Sequence, residues 1–308
     1  ESLVNLVNVD FANVWISNVT ATTTSTQTGT VLGADGSGTG SSLYIYNMDA
    51  SGYSSAKIYA LDSIKMETVD WGSADVTMSP GGTTSTAAGP SGLSSASLDD
   101  FTAGDLTMAR MAPAMDDLDI GALLIMGNSP GGDAIVGENW DTDGISISGC
   151  GYAVVADAVT TDAISGSCSN SASPNNIQLS DVDATYTGTM NAVYARNSQI
   201  TIGEGEITMP TTFDKMSKAS TNGRIILIDV AQDGTTCDGS SGCDVSSSSS
   251  GAIYFGGLAT VKVFKLLGDG SKDYREGHTV QATVVDAGSA LFTIGTHTTD
   301  SSGEASVW

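Results

Sequence analysis

The stretch "NNIQLSDVDATYTGTMNAVYARNSQITIGEGEITM", residues 175–209, decides how the chain is read. Its apolar side chains come in short bursts spaced two apart: Ile177 and Leu179, then Val193, then Ile200 and Ile202. Asn, Asp, Ser or Gly ends each burst. A period of two marks a strand with one buried face, and strands this short need sharp bends between them. Asn suits such bends because its short polar side chain tolerates the left-handed backbone. "ARNSQITI" (195–202) and "ISNVTAT" (16–22) both place Asn where a bend is expected. From Ile177/Leu179 to Ile200/Ile202 is 23 residues, the length of one repeat if the second pair stacks on the first.

The same texture runs along most of the chain. "LVNVDFANVWISNVTAT" (6–22), "SLYIYNM" (42–48), "AKIYALDSIKMETV" (56–69), "ADVTM" (74–78), "GALLIMG" (121–127), "GISISG" (144–149) and "YAVVADAV" (152–159) read as strands bounded by turn residues. Helical periodicity is nearly absent, so the chain is all-β. Sandwich strands run longer, with turn signals every eight to twelve residues or so. Bursts separated by one or two residues, as in "FANVWISNV", fit a parallel β-helix better. In that architecture one or two apolar side chains per strand point inward and bends join the strands of each coil.

The pattern resembles that of right-handed parallel β-helix proteins, the pectate-lyase-like group, over roughly residues 1–245. It is a likeness of pattern, not of motif. "TTTSTQTGTVLGADGSGTGS" (22–41) and "SPGGTTSTAAGPSG" (79–92) read as long polar loops, with O-glycosylation as the alternative use of their hydroxyls. "CDGSSGCDVSSSSSG" (237–251) reads as a pinned loop and a linker. The expected division is therefore a β-helix over 1–250 and a second module over 251–308. The second part is similar to Ig-like, carboxypeptidase-regulatory-like modules of prokaryotic (archaeal included) cell surfaces. Val280, Ala282, Val284 and Asp286 match one strand of such a module, and Thr299, Asp300, Gly303 and Ala305 its closing hairpin. That resemblance implies an incomplete Ig-like β-sandwich. The chain opens at Glu1, without Met or a signal peptide, which reads as a mature form or a fragment. Its closing "EASVW" reads as a strand in search of a partner.

Thirty-five acidic residues face 11 basic ones, a net charge of −24. Such a surface repels a phosphate backbone, which argues against nucleic acid and against anionic membranes. It suits divalent cations, high salt, or plain solubility. No apolar run approaches the roughly 20 residues of a transmembrane segment. The four cysteines read as Cys150–Cys168 and Cys237–Cys243 disulfides in an oxidising, extracellular setting, with free thiols and then zinc as the alternatives. Asn18 opens the only N-glycosylation triplet, "NVT".

Catalytic motifs are not found. Polygalacturonase-like enzymes carry an Asn-Thr-Asp, a Gly-His-Gly and an Arg-x-Lys, and none of these occurs here. The pairs Asp99-Asp100 and Asp116-Asp117 read as solvated turns. Arg196, in "YARNS", reads as a surface cation. A Ser–His–Asp triad would have to borrow His278 or His297 from the last module. One metal candidate stands out: Asn139, Asp141 and Asp143, spaced i, i+2, i+4 and followed by Gly144, repeat the opening half of a calcium loop. Cys150 at the twelfth position excludes an EF-hand, and "DTDG" is equally good as a plain turn.

These readings converge on an extracellular structural protein that self-associates on the cell surface, as a surface layer, filament or adhesin stalk, through its ends or its 301–308 tail. Glycan binding through Trp15, Tyr44, Tyr46, Tyr59, Trp71 and Trp140 is the second expectation, and a polysaccharide lyase or hydrolase the third.

Overall fold

The computed structural model describes residues 4–7, 13–21, 30–35, 42–59, 63–79, 95–129, 134–239, 242–257, 259–286 and 289–307. Every regular element among them is a strand. The fold is organised by two long parallel ladders rather than by hairpins. The first runs from Asn13–Thr20 through Ser42–Asp49, Ser63–Asp70, Ser95–Ala103 and the front half of Ala114–Met126. It continues through the front half of Ala134–Ile147, then Ala153–Thr161, Asn175–Thr185, Ser198–Thr208, Arg224–Gln232 and Ala252–Gly256. The second ladder takes the strands between: Val4–Val7, Thr30–Asp35, Ser55–Tyr59, Asp75–Ser79 and Leu106–Ala109. It then uses the back halves of the two long strands, followed by Ile164–Ser167, Asn191–Arg196, Lys215–Ser220 and Val245–Ser248. Together they form one 21-stranded sheet, in which a single short pairing, Ala231–Gln232 with Thr235–Thr236, is antiparallel.

The opening bursts are in register: Ile177 pairs with Ile200 and Leu179 with Ile202. Equivalent residues therefore stack in columns about 4.8 Å apart. Val14, Leu43 and Ile64 follow one another on one inward column, which passes through the positions of Ala96 and Pro113 and continues with Ile135, Val154, Ile177, Ile200, Ile225 and Ile253. Leu43, Ile64, Ile135, Val154, Ile177, Ile200 and Ile225 are at most 2% exposed. Each side chain is buried by the layer above and the layer below, so short bursts suffice to build a continuous core.

A second column explains the bends. Asn18, Asn47, Thr68, Asp100, Asp117, Asn139, Ala158, Asp181, Glu204 and Asp229 share one register position and all have left-handed φ, between 47° and 56°. One such residue in each layer turns the strand by a fixed amount without ending its pairing. The Asn expected at a bend are there: Asn18, and at another corner Asn197, with φ 45°.

Several expectations change. The polar loop 22–41 contains a strand, Thr30–Asp35, paired on both sides, while residues 80–94 lie outside the described residues. The linker expected in 237–251 includes Val245–Ser248, a strand of the second ladder. Ala252–Gly256 likewise belongs to the parallel sheet, which moves the boundary past 250. Serine is a poor core residue but serves on a last layer with little to bury. Trp71 and Trp140, expected as possible platforms, are core side chains at 0% and 1% exposure, and the Trp140 indole donates to the Met115 carbonyl at 2.7 Å.

Beyond 258 the pairing becomes antiparallel: Ala259–Lys262 with Glu304–Val307, Phe264–Leu266 with Lys272–Tyr274, and Thr279–Asp286 with Ser289–Thr298. Val280 to Asp286 do form a strand, and Asp300 to Gly303 a turn. The Asp300 carboxylate accepts from the Ser302 and Glu304 amides, and Gly303 supplies φ 70°. The strand after this turn, however, pairs with Ala259–Lys262 and not with the strand before it. The tail expected to seek a partner elsewhere thus has one within the chain.

Candidate functional site

Two features of the stack are arranged by the fold: an acidic edge along its side and the layers at its two ends. The edge is built by the bend column and its neighbours. The outward column just before the bend carries Glu67, Asp99, Asp116, Glu138 and Asp157 in consecutive layers. The bend column adds Asp100, Asp117, Asp181, Glu204 and Asp229. The outward column two places beyond it adds Asp49, Asp70, Asp119, Asp141, Asp183 and Glu206. Nearly half of the chain's 35 acidic residues stand on these three columns.

Like charges about 5 Å apart repel by roughly 1 kcal/mol even in a water-like dielectric. Asp99 feels this most clearly. Partial burial first, then Glu67, Asp116, Asp117 and Asp100, push its carboxyl above the ordinary value of 3.8. Burial and the neighbouring Asp143 raise Asp162 as well, partly offset by a hydrogen bond from Thr187. An amide relieves part of the repulsion: Asn139 donates to Asp117 at 2.8 Å. Backbone and hydroxyl donors relieve more, the Glu138 amide to Asp116 at 3.1 Å and Ser180 to Asp157 at 2.7 Å. Lys65 stands beside this edge and pairs with Glu67 at 3.2 Å.

The calcium candidate falls within this edge. Asn139, Asp141 and Asp143 sit within one strand, Ala134–Ile147, instead of in a loop, Asn139 at its bend and the two aspartates beyond it, and all three are exposed. On extended backbone alternate residues stand about 7 Å apart along a row, so beyond the bend Asp141 and Asp143 are spread where a loop would gather them. Among the described residues no group of three or more His, Cys, Asp and Glu side chains is arranged to hold a metal ion. The acidic pairs read as solvated turns are mid-strand: Asp100 and Asp117 make the bend, and Asp99 and Asp116 precede it. The missed signal was periodic: each pair follows an apolar residue and precedes another, Leu98/Phe101 and Met115/Leu118.

At the ends the core is open among the described residues. Val14, Ile16 and Val19 of the first layer are half-buried, while Leu43, Ile45 and Met48 one layer in are 0–4% exposed. At the far end Val245, Ile253 and Phe255 are half-buried, whereas Ser217 beneath the first and Ile225 and Leu227 beneath the other two are fully buried. Trp15 is 72% exposed, with one ring face stacked on Tyr44 (centroids 4.3 Å apart, planes 14° from parallel). Of the other aromatic candidates, Tyr46 is exposed, and the side chain of Tyr59 lies outside the described residues.

The cysteines form two disulfides, Cys150–Cys168 and Cys237–Cys243, with Cα atoms 5.0 and 5.3 Å apart. The first ties adjacent layers together. Asn18 sits exposed on the first layer and uses its Oδ1 towards Asn47, so that contact leaves its Nδ2 available. Arg196 is exposed at the end of Asn191–Arg196, and His278 lies in the last module, its backbone N–H bonded to Thr299. No helix of the described residues is long and apolar enough to cross a membrane. Comparison of the chain with family models, with curated proteins and with solved structures finds no match.

Proposed function

We propose that this chain is an extracellular structural protein: a parallel β-helix, right-handed like the pectate-lyase-like group it resembles, followed by Ig-like material, that self-associates through its ends. The observation that carries this reading is the contrast between side and ends. The acidic columns repeat the same charge in layer after layer along one side, which opposes sideways contact between copies at low salt. The end layers instead carry half-buried apolar side chains and strand edges with no partner among the described residues, the features that invite strand addition. Two disulfides favour an oxidising location outside the cytoplasm. Calcium enters this reading as a screening ion along the acidic edge, with Asn139, Asp141 and Asp143 among its contacts.

The test is light scattering with electron microscopy on the whole chain across salt and calcium concentration. Ordered polymers, longer at higher ionic strength, are the expected outcome. A strict monomer under all conditions overturns the reading. Glycan binding keeps one specific support, the exposed Trp15 and Tyr46 beside the half-buried Tyr44; a glycan array without binders disposes of it.

A further inference from the structure

We propose that residues 233–239 are a disulfide-held cap that closes half of the far end to a second copy, and that opening Cys237–Cys243 with a dithiol releases the cap and lets copies join there more tightly. This rests on the self-associating reading above and adds its regulation. The place of the cap carries the argument. Along the stack, the half of each strand beyond the bend is covered by the same half of the next, as Gly205, Glu206 and Ile207 are by Val230, Ala231 and Gln232. Above residues 230–232 the parallel stack stops, because Ala252–Gly256 ends at the partner of Ile228, before the bend. At that place stands the one antiparallel pairing of the 21-stranded sheet. The chain turns back at Asp233 and Gly234, both with left-handed φ, and lays Thr235 and Thr236 against Gln232 and Ala231. The Cys237 amide then donates to the Val230 carbonyl at 2.8 Å.

One inward column shows the effect. It begins at Val19 and ends at Val230, with one residue in each layer between. Both are terminal, yet Val19 is half-buried and Val230 is 0% exposed. Cys237 is buried in the same core cluster, and Gly239 meets the Phe255 ring. Thr235 and Thr236 are exposed. The cap thus occupies a strand edge and leaves a polar surface where an apolar column would otherwise end open.

Cys243 is the fixed side of the staple. The amide of the next residue, Asp244, donates to the Gln232 side chain at 2.8 Å, its carboxylate pairs with Lys215, and Val245 opens the following strand. Cys243 is half-buried whereas Cys150 and Cys168 are both buried, so a dithiol reaches the Cys237–Cys243 bridge first. One thiolate of the reagent attacks the Cys243 sulfur, the S–S bond breaks, and Cys237 leaves and takes up a proton. The second thiol of the reagent then displaces Cys243, which is protonated in turn, and the dithiol ends as a cyclic disulfide.

The test follows association of the whole chain by light scattering before and after mild dithiothreitol, with alkylation and mass mapping of the thiols released. Cys237 and Cys243 should be alkylated first; prior release of Cys150 and Cys168 overturns the switch. Hydrogen exchange at the Cys237 amide should rise while amides of 175–209 stay protected. Association should tighten about tenfold, the worth of one or two further backbone hydrogen bonds across the joint. Gly234→Val loosens the cap with the disulfide intact: φ 74° strains a β-branched residue, and an added Cβ meets nothing within 4 Å. It should also tighten association. Cys150→Ser with Cys168→Ser, away from this end, should leave association unchanged; an equal gain there overturns the cap. If the unmodified chain polymerises and neither route alters it, the cap falls and the structural-rod reading stands. If no form associates, both fall.

Discussion

The parallel stack and the antiparallel segment that follows it use the same kinds of residue to opposite effect. In the stack, Leu43, Ile58, Met66 and Leu227 are fully buried. In the last segment Phe264, Leu266 and Tyr274 are 40%, 64% and 44% exposed. Phe264 meets Tyr274 edge-on at 6.1 Å, the Lys272 ammonium lies 4.4 Å over the Phe264 ring, and the Lys262 ammonium of a neighbouring strand pair lies 6.0 Å from the Tyr274 ring, all of them contacts at the surface. The difference is topological. A residue in the stack is covered by layers about 20 to 30 positions away on both sides, whereas a short strand pair has one neighbour and one free face. Burial in the stack is therefore collective, and the hairpins depend on backbone bonds and a few polar hooks.

The largest expected effect tests collective burial. Trp140→Ala removes a 1%-exposed indole and its bond to Met115, and should cost about 3–5 kcal/mol in urea unfolding. Leu266→Ala in the last segment should stay within about 0.5 kcal/mol. Equal effects would mean that the stack is not the source of stability. Cys150→Ser with Cys168→Ser opens a closed loop spanning 18 residues and should cost about 3 kcal/mol by the same measurement.

Thr299 is the principal hook of the terminal segment. Its hydroxyl accepts from the His278 amide at 2.9 Å and donates to the Arg275 carbonyl at 2.6 Å. Thr299→Ala should cost about 1–2 kcal/mol. Hydrogen exchange should rise around 275–279 and 299 while amides of the stack stay protected. Exchange spreading into 175–232 would show that the two regions unfold as one.

The acidic edge gives a smaller effect with a definite sign. A carboxyl whose folded value is raised contributes stability that is complete below the ordinary 3.8 and is lost as pH rises through the raised value. Asp99→Asn should therefore raise the Tm at pH 7 by about 1–2 °C, a gain that shrinks in high salt and disappears on acidification below 3.8. A lower Tm would mean that Asp99 is held by a favourable partner.

The smallest effect concerns the bend column. Ala158 holds φ 52° without the amide that eases that conformation. Ala158→Asn should stabilise by about 0.5–1 kcal/mol, read as a small rise in urea midpoint.

Much of this was legible in the residues. The spacing of Ile177/Leu179 and Ile200/Ile202 gave the repeat because the period of two and the repeat length are both local. Asn18 and Asn197 marked bends because few residues accept a left-handed backbone. Thr68, Ala158 and Glu204 could not be found that way: their conformation is imposed by the layers on either side, and their side chains do not prefer it. "VSSSSS" looked like a linker because Val245 is its one apolar residue, yet the layer beneath supplies the hydrogen bonds that make Val245–Ser248 a strand.

Local chemistry, then, determined that the chain is all-β, built from short strands, strongly acidic and equipped with two cysteine pairs. Only the tertiary structure decided that scattered carboxylates fall into rows, that Trp71 and Trp140 are interior, and that aromatic residues 15 and 254 lie at opposite ends of one column. The physical reason is register. Parallel pairing between segments 20 to 30 residues apart sets which side chains become neighbours, and no short window of sequence contains both partners.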